Sequence, residues 1–147
     1  MPPDTDDRLP GTLAILETVL YAEDLDAVEA FYTQVLGLPL LIKEAGRHVF
    51  FRCPGSMLLV FNPSVTETVR TEINGFPVPL HGAHGPGHMA FRESEARLDQ
   101  WRDHLARHGI AVETDMTWPN GARSLYFRDP AGNSIEIATP DLWGFDA

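Results

Sequence analysis

The chain holds a single cysteine, Cys53, among 147 residues, which excludes an internal disulfide. Set in an apolar stretch, Cys53 reads as a small buried hydrophobe, with a nucleophilic role the weaker alternative. Basic residues are scarce. Eleven Lys and Arg face 21 Asp and Glu, for a net charge of -10, and the basic residues form no cluster. That balance excludes nucleic acid and anionic membrane as partners. No apolar run approaches the length of a membrane span. The opening "MPPDTDDRLP" is acidic and proline-rich, the reverse of a signal or transit peptide, and predicts a loose arm over residues 1–11 of a cytoplasmic protein. What is present is ordinary: 44% apolar and 22% charged residues, enough for one domain with a proper core.

Within that domain the chain repeats itself. "RHVFFRCPGS" from Arg47 and "RSLYFRDPAGN" from Arg123 share a frame. "LAILETVLYA" reads as a strand. "EDLDAVEAFYTQVLGL" reads as a helix, with Asp24 as N-cap and Gly37 as stop. "PLLIKE", "RHVFFRC" and "SMLLVFN" read as three strands. "HMAFR" then reads as a strand, "SEARLDQWRDHLARHG" as a helix stopped by Gly109, and "IAVET", "RSLYFRD" and "NSIEIAT" as three strands. The order βαβββ occurs twice. The chain is therefore read as α+β, with module one over residues 12–63, a long loop over 64–86, module two over 87–140 and a tail over 141–147.

Strand parity sorts the side chains. Met89, Phe91, Leu125, Phe127, Ile135 and Ile137 face the helix of module two. The opposite faces collect Glu17, His88, Ser124, Tyr126 and Glu136. By the repeat, Arg47 falls on Arg123, His48 on Ser124, Phe50 on Tyr126 and Arg52 on Arg128, while Tyr21 shares a face with Glu17. If the two sheets pair edge to edge and curl, two carboxylates and an imidazole converge in one cleft. Arg52 and Arg128 read as structural turn residues, and Asp129 caps its own turn.

"ETVLYAEDLDAVEAFYTQVLGL", "GPGHMAF" and "YFRDPAGNSIEI" together resemble the vicinal oxygen chelate superfamily, over about residues 13–140. That superfamily includes glyoxalase I, fosfomycin-resistance thiol transferases, extradiol dioxygenases and bleomycin-resistance proteins. The resemblance implies the glyoxalase/bleomycin-resistance/dioxygenase fold: a curved mixed sheet cleft, a divalent metal on its floor, and a homodimer. Its ligand positions fall on Glu17, His88 and Glu136. The fourth ligand of glyoxalase I falls on Leu59, or on Val60 if the gap is placed differently, and neither binds metal. Two carboxylates and one imidazole with open positions suit Mn, Fe, Zn or Mg and a substrate chelating through two oxygens. Glu17 departs from the His-His-Glu set of the dioxygenases.

Tyr126 stands ten residues before Glu136, a spacing at which relatives hold a substrate-binding Tyr. Tyr126, His48 and Glu136 are the candidate catalytic groups. Ser124, Phe50, Tyr21, Trp118 and Arg123 are candidate substrate contacts, and His81 and His84 lie in the loop where they can close over the site. No Arg stands near Phe145, which argues against fosfomycin. The expected function is a metal-dependent lyase, isomerase or dioxygenase acting on a small molecule. The rival is a metal-free binding protein of the bleomycin-resistance kind.

Overall fold

The computed structural model describes Leu9 and residues 11–146. Module one runs β1 (Glu17–Tyr21), α1 (Leu25–Ala30), β2 (Leu40–Glu44), β3 (His48–Cys53) and β4 (Ser56–Phe61). A connection follows with α2 (Pro63–Thr66), β5 (Thr71–Ile73) and β6 (Phe76–Val78). Module two runs β7 (His88–Arg92), α3 (Glu95–Arg107), β8 (Thr114–Thr117), β9 (Arg123–Arg128) and β10 (Ser134–Ala138). The sheet orders are β1-β4-β3-β2 and β7-β10-β9-β8. In each module the first strand pairs in parallel with the last, and the other pairs are antiparallel. A parallel pair requires a long crossover, which the helix and two intervening strands supply. The duplication read from the sequence is present in the fold.

Several elements differ from expectation. The strand expected over residues 13–22 pairs only from Glu17; Leu13 and Ile15 lie exposed before it. Asp24 caps α1 by accepting from the Ala27 N–H at 3.1 Å. After Ala30 the helix widens into a π-turn over Phe31–Val35, where the Leu36 N–H donates to the Phe31 carbonyl at 3.2 Å. Both neighbours Phe31 and Tyr32 are buried there. Gly37 stops the helix at φ 73°. The strand expected at "IAVET" begins only at Thr114, because Ile110 and Val112 pack against the core instead. The segment expected as loop carries α2 and the β5–β6 hairpin. Its turn is Asn74-Gly75 at φ 53° and 81°, the two left-handed residues of a type I′ turn.

The core is one cluster. Leu20, Val49, Phe51, Leu58 and Val60 from the first sheet meet Leu125, Phe127, Ile135 and Ile137 from the second, with Val28, Phe31, Tyr32, Leu98 and Leu105 of the helices among them. Phe31 and Phe127 pack with ring centroids 6.3 Å apart, and His104 Nε2 lies 2.7 Å from the Val35 carbonyl. Since both sheets turn their helix-facing sides to this shared core, their other faces are turned away from it. Among the described residues no strand of one sheet pairs with a strand of the other, and β1 and β7 are both open edges. No helix among these residues is long and apolar enough to cross a membrane.

Candidate metal centre

The site is built on three adjacent strands of module two. Register places Glu136 on β10 between Ala90 of β7 and Tyr126 of β9. Glu136 is 5% exposed. Ser124 Oγ–H donates to its Oε2 at 2.6 Å, and Trp118 Nε1–H donates to Ser124 Oγ at 2.8 Å. This chain orients the carboxylate from behind. Its Oε1 lies 3.3 Å from His88 Nε2.

The tautomer of His88 follows from its other nitrogen. Nδ1 lies 2.9 Å from the Ser134 carbonyl, which can only accept, so Nδ1 carries a proton. In the neutral ring Nε2 then holds a lone pair directed toward a carboxylate oxygen. Two acceptors at that separation repel unless a proton or a cation lies between them. Metal-bound imidazoles are commonly held in this way, with the distal N–H on a backbone carbonyl. Two donor bonds of about 2.1 Å meeting near a right angle set donors about 3 Å apart, close to the observed spacing. A buried carboxylate also needs a compensating charge. The residues fit a divalent cation.

Tyr126 stands beside the pair, its ring stacked on His88 with centroids 6.2 Å apart. Burial raises its phenol above the usual value, and the neighbouring Glu136 charge raises it further, while Ser124 partly opposes them. The phenol therefore stays protonated and remains a proton donor.

The other expected site residues lie elsewhere. Glu17 is exposed on β1, in the other sheet. Among the described residues no three His, Cys, Asp or Glu side chains gather as a ligand set. Tyr21, His48 and Phe50 share the outer face of module one. There His48 stacks on Phe50 at 4.1 Å and meets Phe61 edge-on at 5.8 Å. Burial lowers the His48 pKa, Glu44 opposes the shift and Arg47 adds to it, and Nδ1 is buried with no hydrogen-bond partner. Arg123 points to the helix side, where it pairs with Asp99 at 3.1 Å and Asp115 at 3.2 Å. Register distinguishes Leu59 from Val60 as the module-one counterpart of Glu136. Leu59 lies between Val19 and Phe50 just as Glu136 lies between Ala90 and Tyr126, so Leu59 is its counterpart.

Two features went beyond the sequence reading. His81, expected in the loop that can close over the site, has its Nδ1 2.7 Å from the Tyr21 hydroxyl, which brings the connection onto the outer face of module one. The Asn-Gly turn is the one sequence signal that this connection is structured. Asn133 is buried and joins the modules: its Nδ2 donates to the Tyr21 carbonyl at 3.2 Å, and its Oδ1 accepts from the Gly87 N–H at 2.7 Å.

A model of the Glyoxalase/Bleomycin resistance protein/Dioxygenase superfamily matches residues 14–137. Among solved structures, a lactoylglutathione lyase from Agrobacterium tumefaciens is 45% identical, covers 92% of this chain and 100% of its own, and superposes with a TM-score of 0.85. A glyoxalase/bleomycin resistance protein/dioxygenase from Nocardioides is 27% identical, with 88% and 84% covered and a TM-score of 0.67. TioX from Micromonospora sp. ML1 shares the fold at 19% identity, with 86% and 98% covered and a TM-score of 0.66. With ligand-type residues on β7 and β10 and a family match spanning both modules, the chain belongs to the Glyoxalase/Bleomycin resistance protein/Dioxygenase superfamily.

Proposed function

We propose that this protein is a metal-dependent, glyoxalase-like lyase or isomerase whose small substrate is chelated through two neighbouring oxygens. The observation that carries this reading is His88 Nε2 standing 3.3 Å from Glu136 Oε1 while its Nδ1 is engaged by the Ser134 carbonyl, a spacing that suits two ligands of one cation. The 45% identity to a lactoylglutathione lyase supports the reaction class. His88 and Glu136 would hold the metal, with Glu17 as third ligand. Because Glu17 stands on an outward face of the other sheet, it would come from a second copy, its open β1 edge lying along the β7 edge of this one. The functional protein is then a homodimer with composite sites. Mn, Fe, Zn or Mg suits two carboxylates and an imidazole.

When bound, such a cation supplies Lewis acidity to the two substrate oxygens. Ser124 and Trp118 fix the Glu136 carboxylate. Tyr126, kept protonated by burial and by Glu136, offers a proton to a developing oxyanion. A Glu17 or Glu136 carboxylate serves as base for a proton on the adjacent carbon. With Glu17 the second copy would also bring His48, whose pKa burial lowers and which can accept a proton, and Phe50 and Tyr21, which would form the facing wall.

The test is elemental analysis of protein purified without chelator, together with Glu136→Ala. One divalent ion per chain is expected, and at least about a tenfold loss of metal affinity in the variant. Absence of stoichiometric metal, with small-molecule binding unaffected by Glu136→Ala, would sink the proposal in favour of a metal-free binding protein.

A further inference from the structure

The outer face of module two continues past the metal pair. Two residues beyond Glu136 on the same face stands Ala138, about 7 Å along the strand, and beside it on β7 are Ala90 and Arg92. The two alanines leave a hollow. The tail turns back beside it, so that the hollow, open to solvent and about 220 Å³ in volume, has Trp143 and Phe145 along one side. This tail is built rather than draped. Pro140–Trp143 form a helical turn ended by Gly144 at φ 77°. The Phe145 N–H donates to the Pro140 carbonyl at 3.1 Å, and Asn120 Nδ2 reaches the Asp141 and Leu142 carbonyls at 3.3 and 3.4 Å. Arg92 donates to the Asp146 carbonyl. Despite this anchoring, Trp143 is 79% and Phe145 63% exposed. Folding alone gives no return for pinning two aromatic rings in water, whereas a preorganised aromatic wall favours ligand binding.

We infer that this hollow receives an aromatic ring or a branched alkyl group borne by the substrate, next to the two oxygens it presents at His88 and Glu136. The inference rests on the metal-chelate reading above and narrows the substrate to compounds with a bulky apolar substituent beside their vicinal oxygens. A cavity of this size takes one ring. It opens on the same face as the metal pair and lies one side-chain row from the carboxylate, so one small molecule spans both.

Benzohydroxamate and acetohydroxamate chelate through the same two oxygens and differ in the group beside them. Titration of each into the Mn-loaded protein is expected to show the aryl compound bound at least about tenfold more tightly, as burial of one ring implies. Trp143→Ala and Phe145→Ala should each bring that ratio below about threefold, with acetohydroxamate affinity and sedimentation unchanged. Equal affinities in the wild-type protein overturn the inference and leave the metal-chelate reading standing. A variant that alters the oligomeric state but not the ratio also overturns it, and marks the tail as an interface between copies. If neither compound binds, both readings fall together.

Discussion

Tyr32 sits in the core with no exposed surface, and its hydroxyl donates to Asp129 Oδ2 at 2.8 Å. Burial, and then the Asp129 charge and hydrogen bond, hold its phenol well above the usual value. Below the ordinary phenol pKa the proton is bound in both folded and unfolded chains, and the contribution to stability is fully present. As pH rises past it, the unfolded chain releases a proton that the folded one keeps, so stability falls. Urea midpoints should therefore drop between about pH 9 and 11. Tyr32→Phe should flatten much of that slope, leaving a part from Tyr21, Tyr126, Cys53 and Lys43, which are also raised. At neutral pH the same variant should be less stable by about 1–2 kcal/mol, since Asp129 loses a donor. At this scale the sequence was uneven. Residue type and strand parity placed His88, Tyr126 and Glu136 on one face, and the strand register has them there. The His88 tautomer depends on the Ser134 carbonyl, 46 residues away, and no local pattern encodes it. The Trp118–Ser124–Glu136 chain likewise needs the register of β9 against β10.

Between elements, the turn from Asp129 to Asn133 acts as a latch. Asp129 Oδ1 accepts from the Ala131 and Asn133 N–H groups at 2.9 Å each, and Asn133 reaches both Gly87 and the Tyr21 carbonyl. The reading of Asp129 as a self-capping turn residue holds, and the latch adds a link from β10 to β1. The space is tight: a Cβ on Gly87 would lie 3.3 Å from both Asn133 Oδ1 and Leu20 Cδ2. Asn133→Ala should destabilise by about 2–4 kcal/mol, because it leaves the Gly87 N–H and the Tyr21 carbonyl without their partner. An unchanged urea midpoint would show the latch to be dispensable. The elements most legible in the sequence were those with a local stop or cap, such as Asp24, Gly37 and Gly109. Those misjudged were governed by tertiary contacts. "IAVET" has strand composition, yet Ile110 and Val112 are drawn onto the core. Phe31 and Tyr32 sit side by side in a helix-period pattern, and both are buried where the helix widens.

For the whole molecule, the arrangement of the two faces matters most. The repeat disclosed the fold and the residues of the outer faces, but a repeat cannot say whether its halves pair within one chain. The shared core answers that for this chain: the two sheets pack back to back through their helices and, among the described residues, do not join edges. The proposed composite site has a quantitative consequence. Glu17→Gln and Glu136→Gln homodimers should each fail to hold metal tightly. Unfolded together and refolded as an equal mixture, they form heterodimers as about half of all dimers, and one site in each heterodimer keeps every ligand. About one quarter of the wild-type tight metal sites should return. No recovery in a mixture shown to contain heterodimers would exclude a ligand set shared between chains.

The common core bears on how the chain is made. Phe31 packs on Phe127 and Asn133 bonds to the Tyr21 carbonyl, contacts spanning roughly a hundred residues. A nascent first module emerging from the ribosome thus has its strands but lacks the far wall of its own interior. It must wait, with apolar surface uncovered, until β9 and β10 have cleared the exit tunnel. Such long-range closure slows folding and exposes the half-made chain to association with others. For this protein the interval between synthesis of the first sheet and the second is the vulnerable one.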